Sequence, residues 1–121
     1  MTSGSLVVKI TAGKNDPERC NQALTVAATA VASGVPVSLW LTGEAAWLGL
    51  PGQADGLALP HASPAADLLN TILRGGSVTV CTQCAARRDI AQQDLIDGVR
   101  IGGAPTFLAE VMREGAKPLV Y

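Results

Sequence analysis

The stretch Ser77-Val78-Thr79-Val80-Cys81-Thr82-Gln83-Cys84-Ala85 decides how this chain folds. Ser77 to Val80 is a short, β-branched apolar run of the kind that forms a buried strand, and Gly75-Gly76 ahead of it ends whatever helix precedes it. After Cys81 the residue types are those that enter a helix, which runs to Arg88 or Asp89. A strand passing directly into a helix belongs to an α/β sheet, where functional groups gather outside the carboxyl ends of the strands. Both cysteines stand at such an end.

Outward from this stretch the same alternation recurs. Ser5 to Ile10 is a β-rich run that leads into Ala12-Gly13-Lys14. Asp16 and Pro17 are an N-cap and a first helical residue, and Cys20, Leu24, Ala27, Ala28 and Val31 then recur at helical spacing until Gly34, which predicts a helix over 17–33. Val35 to Leu41 is a second strand, and Thr42-Gly43-Glu44 opens a short helix through Leu48. Pro51 to Pro64, with its Gly, Pro and Ser residues and the lone His61, reads as a loop. Pro64, Leu68, Leu69, Ile72 and Leu73 mark a helix that stops at Gly75-Gly76. Beyond the cysteines come a short helix around Gln92 to Asp97, a strand Val99 to Ile101, a helix Pro105 to Glu114 and a last strand Leu119 to Tyr121.

Strands joined by helical connections pair in parallel, and the crossovers are right-handed. The expectation is one doubly wound α/β domain over residues 1–121, with a mostly parallel sheet and helices on both faces. The strands near 5–11, 35–41 and 77–81 are expected to be neighbours.

Charge and composition exclude several classes of function. With 9 basic and 10 acidic residues the formal charge is −1, without the basic surplus that binding to a phosphate backbone uses. No segment reaches the roughly 18 apolar residues of a membrane helix, and Met1 to Ile10 has no basic leader followed by a long apolar stretch. The expected partners therefore include neither nucleic acid nor membrane, and the expected compartment is the cytoplasm. Three cysteines are too few, and odd in number, for a disulfide framework, so reduced thiols are expected. A mean hydropathy of +0.29 in so short a chain leaves apolar surface for a subunit contact, which points to a homo-oligomer.

Cys81 and Cys84 carry the chemistry this sequence offers. Free N–H groups at a helix start favour thiolate over thiol, and a cysteine pKa of about 8.5 falls to roughly 3.5–7.5 in such settings. Cys84, about one turn later, can face Cys81 as a resolving or second relay thiol, and Arg88 is placed to hold thiolate or persulfide charge. Cysteine is also a small hydrophobe that is often simply buried, so an oligomeric scaffold or binding module with structural thiols is the plain alternative. Cys81, Cys84, Cys20 and His61 nominally make four zinc ligands, but Cys20 and His61 are isolated in sequence and no second paired motif accompanies the first. Cys20 lies on the apolar stripe of its helix, and His61 in a loop is expected to be solvated. No metal and no cofactor is therefore expected. Gly13-Lys14 is not a P-loop, since Val8 and Asn15 replace its first glycine and its Ser or Thr. GxSxG and HExxH motifs are absent.

The pattern resembles the DsrE/DsrF-like sulfur-relay family, which includes the Tus sulfur carriers. The resemblance covers nearly the whole chain: the opening strand, Asp16-Pro17-Glu18, Val37 to Leu41 with Thr42-Gly43-Glu44-Ala45, Leu68-Leu69 and Gly75-Gly76. Its most specific part is Cys81-Thr82-Gln83-Cys84-Ala85 with Arg88, then Asp94-Leu95-Ile96 and Gly98-Val99. Members often have glycine after the arginine, where this chain has Asp89. The resemblance implies a Rossmann-like or flavodoxin-like layer of about five strands in trimers or hexamers of like subunits. It also implies sulfur carriage or sulfur transfer between donor and acceptor proteins, with Cys81 the sulfur-accepting position.

Overall fold

In a computed structural model, which describes residues 4–121, five strands form one sheet in the order β4-β3-β2-β1-β5. Residues 1–3, the start of the expected 1–121 domain, lie outside the described residues. The strands are β1 Ser5–Ile10, β2 Val37–Leu41, β3 Ser77–Cys81, β4 Val99–Gly102 and β5 Ala116–Val120. All four pairings are parallel, so the expected neighbours β2, β1 and β3 are in place and the sheet is wholly rather than mostly parallel. The helices are α1 Pro17–Ala32, α2 Ala65–Gly75, α3 Thr82–Arg87 and α4 Ala104–Val111, with 3₁₀ turns at Gly43–Gly49, Gln53–Gly56 and Gln92–Asp94.

The strand order explains how the faces are covered. From β1 to β4 each step moves one place in the same direction, so right-handed crossovers put α1, α2, α3 and the Gly43–Gly49 segment on one face. There Val8, Leu39, Leu41, Val78 and Val80 pack against Leu24, Leu48, Leu69, Ile72 and Ala85 in one buried cluster. Only the return from β4 to β5 crosses the other face, and it carries α4 with it. Helices therefore do lie on both faces, but unequally. The switch falls between β3, which leads to α3, and β4, which leads to α4, and such a reversal opens a crevice at the carboxyl ends of the strands.

Local signals set the helix ends. The Asp16 side chain accepts from the Arg19 N–H at 3.2 Å, and Pro17 fills the first turn, where no N–H is needed. At the other end Gly34 takes φ 83°, and the Val35 and Gly34 N–H groups close back on the Ala30 and Val31 carbonyls in a Schellman motif. β2 starts at Val37 rather than Val35, because Val35 is spent on that cap. α4 begins at Ala104 and stops at Val111, earlier than the expected Glu114. β5 starts at Ala116, not Leu119: as an edge strand it admits Pro118, which a central strand would exclude.

Candidate thiol site

Cys81 is the last residue of β3 and the N-cap of α3, with the extended φ, ψ of −61°, 132° that turns a strand into a helix. Its half-buried sulfur is subject to opposing effects. Burial works against the thiolate, but the backbone N–H groups of Cys84 and Gln83, the Cys84 thiol and the charge of Lys9 together outweigh it and hold the thiol below its ordinary range. The sulfur is thus both reachable and biased toward its nucleophilic form.

Cys84 is buried one turn further on, and its sulfur accepts the Gly43 N–H at 3.2 Å. Arg88 lies beside it but is turned toward Glu44: Nη2 and Nε bond Glu44 Oε2 at 2.7 and 3.0 Å, and Nη1 bonds the Cys84 carbonyl at 3.1 Å. Arg88 therefore ties α3 to the Gly43–Gly49 segment that supplies the hydrogen bond to Cys84. The following residue, Asp89, adopts φ 53°, the left-handed conformation that glycine takes most easily and Asp tolerates.

A cavity of about 430 Å³ opens beside Cys81 at the β3/β4 switch point. Its walls are Trp40, Pro105 and Phe107, with Lys9, Thr82 and Gln83 at the edge. Trp40 and Phe107 meet edge to face, with centroids 5.3 Å apart at 85°, and the Lys9 ammonium lies 5.4 Å from the Phe107 centroid. Two larger hollows, of about 520 and 590 Å³, lie toward the amino ends of the strands and include neither cysteine.

Beneath α4 the buried Glu110 carboxylate accepts from Ser38 at 2.6 Å, Trp40 Nε1 at 2.9 Å and Arg100 Nη2 at 2.7 Å. Arg100 also donates to Thr79 at 2.7 Å. Burial alone would raise the Glu110 pKa, but hydrogen bonds from Ser38, Trp40 and Arg100, with the Arg100 charge, hold it below the usual carboxylate value. This network fixes α4, and with it Pro105 and Phe107, over the sheet.

Of the sequence candidates, Cys81 and Cys84 come together and Arg88 adjoins Cys84. Cys20 is fully buried in the α1 core, where burial and Asp16 push its thiol up to about 11. His61 is exposed in its loop at φ 62°. Among the described residues no three His, Cys, Asp or Glu side chains cluster as metal ligands would. Also among the described residues, no helix is long and apolar enough to cross a membrane. Lys9, Trp40 and Phe107 escaped sequence reading, and only the alternation of β1 and β2 side chains hinted that Lys9 and Trp40 share a face.

The sequence profile of the DsrE/DsrF-like family matches residues 5–120. An uncharacterized protein of Methanocaldococcus jannaschii, MJ0760, is 29% identical over 110 residues, which is 90% of this chain and 40% of that protein. The chain thus spans about two-fifths of the length of that relative. The E. coli YchN protein superposes with a TM-score of 0.80 at 21% identity, covering 98% of this chain and 99% of YchN. MTH1491 of Methanobacterium thermoautotrophicum, a protein of unknown function, gives 0.68 at 12% identity over 98% and 99% of the two chains. At these identities the likeness is one of fold.

Proposed function

Because the chain belongs to the DsrE/DsrF-like family, we propose that it is a sulfur-relay protein that carries persulfide sulfur on Cys81. The observation that carries this reading is the setting of the Cys81 sulfur, half-exposed where β3 passes into α3, at the edge of a cavity it shares with Lys9, with Cys84 one turn further on. In the forward step the Cys81 thiolate attacks the outer sulfur of a donor persulfide. The donor S–S bond breaks, the donor leaves as thiolate, and a new S–S bond forms on Cys81. An acceptor thiolate then attacks the outer sulfur and releases Cys81 as thiolate, with no net oxidation.

Cys84 is the second thiol. Its attack on the inner sulfur would form the Cys81–Cys84 disulfide and release hydrosulfide, so the orientation in which the Gly43 N–H fixes the Cys84 sulfur sets the lifetime of the loaded state. Arg88 acts by keeping that arrangement closed. Three unpaired thiols suit a reducing compartment such as the cytoplasm. Exposed Leu108, Met112 and Val120 suit assembly with like subunits, as a trimer or hexamer.

The test is mass spectrometry of the native protein after incubation with a cysteine desulfurase and cysteine. One sulfur atom is expected on the peptide bearing Cys81, lost in Cys81→Ser and retained in Cys84→Ser. No gain with an active donor, or equal gain on Cys20, would leave the scaffold with structural thiols as the better account.

A further inference from the structure

The cavity beside Cys81 has the build of a small-molecule site rather than of a protein-docking face. Its volume, about 430 Å³, lies within the roughly 300–1,000 Å³ typical of ligand pockets. Its walls are mainly apolar, with a buried indole, a phenyl ring and a proline ring contributed by β2 and α4. These walls are held by the Glu110 network, so the cavity is set before any ligand arrives.

One cationic side chain lines this space, beside the Cys81 sulfur. Lys9 points from β1 onto the cavity edge, close to Phe107 and on the same face as Trp40, its register partner in β2. Among the described residues no carboxylate pairs with it: the ion pairs are Arg19–Asp16, Arg88–Glu44 and Arg100–Glu110. An ammonium with no carboxylate partner at the edge of an apolar hollow, free of its thiolate neighbour once Cys81 carries a neutral persulfide, selects for a ligand with an apolar body and a single negative end.

We propose that this cavity is the recognition site for a small organic anion, and that the acceptor of the outer sulfur is a low-molecular-weight mercapto-carboxylate. Trp40, Pro105 and Phe107 hold its body and Lys9 its carboxylate. This rests on the relay reading for the transfer step alone. In that step the acceptor thiolate attacks the outer sulfur of neutral Cys81 persulfide, the Cys81–sulfur bond breaks, and the products are the acceptor persulfide and the Cys81 thiolate. Lys9 is a recognition residue that the sequence offers no reason to single out, since its neighbours come from β2, β3 and α4.

The decisive experiment compares alkylation of Cys81 in the full chain by iodoacetate, an anion, and iodoacetamide, its neutral counterpart. Taking the ratio of the two rates cancels the thiolate fraction, so the readout reports ligand charge alone. Relative to N-acetylcysteine, Cys81 should favour iodoacetate by roughly fivefold, the factor expected for one partly exposed charge contact. Lys9→Met should bring the ratio to that of the free thiol, and Lys9→Arg should keep it. In a second arm, protein loaded with persulfide should pass sulfur to 3-mercaptopropionate several-fold faster than to 2-mercaptoethanol, and slowest to cysteamine. An unchanged iodoacetate ratio in Lys9→Met, or equal transfer to all three thiols, would overturn the proposal. Failure to load persulfide while the iodoacetate preference persists would remove the relay and leave the anion site standing. Transfer to a protein thiol but to none of the small thiols would make the acceptor a protein.

Discussion

Trp40 Nε1 donates to Glu110 at 2.9 Å across 70 positions of sequence, joining the middle of the sheet to α4 on its sparsely covered face. Removing that carboxylate strands the indole N–H, the Ser38 hydroxyl and part of Arg100 beneath α4. Glu110→Gln is expected to cost about 2 kcal/mol, the scale of charged hydrogen bonds lost at a buried acceptor. The loss should also change with pH. The folded Glu110 pKa lies below its unfolded value, so its contribution is complete above about 4.3 and is lost as pH falls through the lower folded value. Urea midpoints at pH 7 and pH 3 should therefore converge between wild type and Glu110→Gln on acidification. A gap that stays constant would mean that the carboxylate charge does not hold α4.

Gly43 is the hinge of the Cys84 contact. It sits at φ 55°, and a Cβ there would lie 2.8 Å from the Thr11 carbonyl oxygen. Gly43→Ala is expected to lose about 1–3 kcal/mol through left-handed strain and that clash. The displaced N–H would no longer reach the Cys84 sulfur, so Cys84 should alkylate faster than in the wild type. Stability lost with no change at Cys84 would separate the turn from the thiol.

Much of this architecture was readable in the chain because its three central strands, β1, β2 and β3, are largely buried and so appear as short apolar, β-branched runs. The helices between them carry caps such as Asp16-Pro17 and Gly34 that have one physical meaning. Reading failed where context overrides local preference: Ala116-Lys117-Pro118 looks like a loop until β5 is known to be an edge. At the site, Cys81 and Cys84 were legible because spacing and strand-end placement are local. Lys9, Trp40, Phe107 and Glu110 were not. Parallel register sets Lys9 beside Trp40, and the return from β4 to β5 brings Phe107 and Glu110 over them, relationships that no single segment encodes.

Arg88 spans α3 and the Gly43–Gly49 segment with bonds of 2.7 and 3.0 Å to a largely solvated Glu44 carboxylate, so its effect on stability should be slight. Its effect should appear in the chemistry. In Arg88→Ala the segment is less firmly held, Cys84 is freer to attack, and persulfide on Cys81 should decay faster to the internal disulfide. Arg88→Lys should fall between, because a single ammonium cannot bond Glu44 and the Cys84 carbonyl in the same forked manner. Persulfide lifetimes followed by mass spectrometry, with urea midpoints as control, check this. Equal lifetimes in all three proteins would mean that Arg88 plays no part in protecting the loaded thiol.

The last prediction concerns assembly. Leu108 and Met112 stand one turn apart on the outer side of α4 and are 60% and 74% exposed, while Val120, 64% exposed, pairs in register with Lys9 on the same sheet face. Face coverage explains why they are bare: among the described residues three crossovers cover one side of the sheet and only α4 covers the other, leaving the β5 flank without a helix. An edge strand with apolar residues and no protecting helix tends to find a partner, and like subunits arranged around a symmetry axis satisfy it at every copy. Light scattering at micromolar concentration should therefore give a multiple of the chain mass, and Leu108→Glu with Met112→Glu should lower it toward one chain. Cys81 should keep its alkylation rate in that variant, since neither side chain lines the cavity. A wild-type monomer would defeat the prediction, and an unchanged multimer in the double variant would move the interface to another surface.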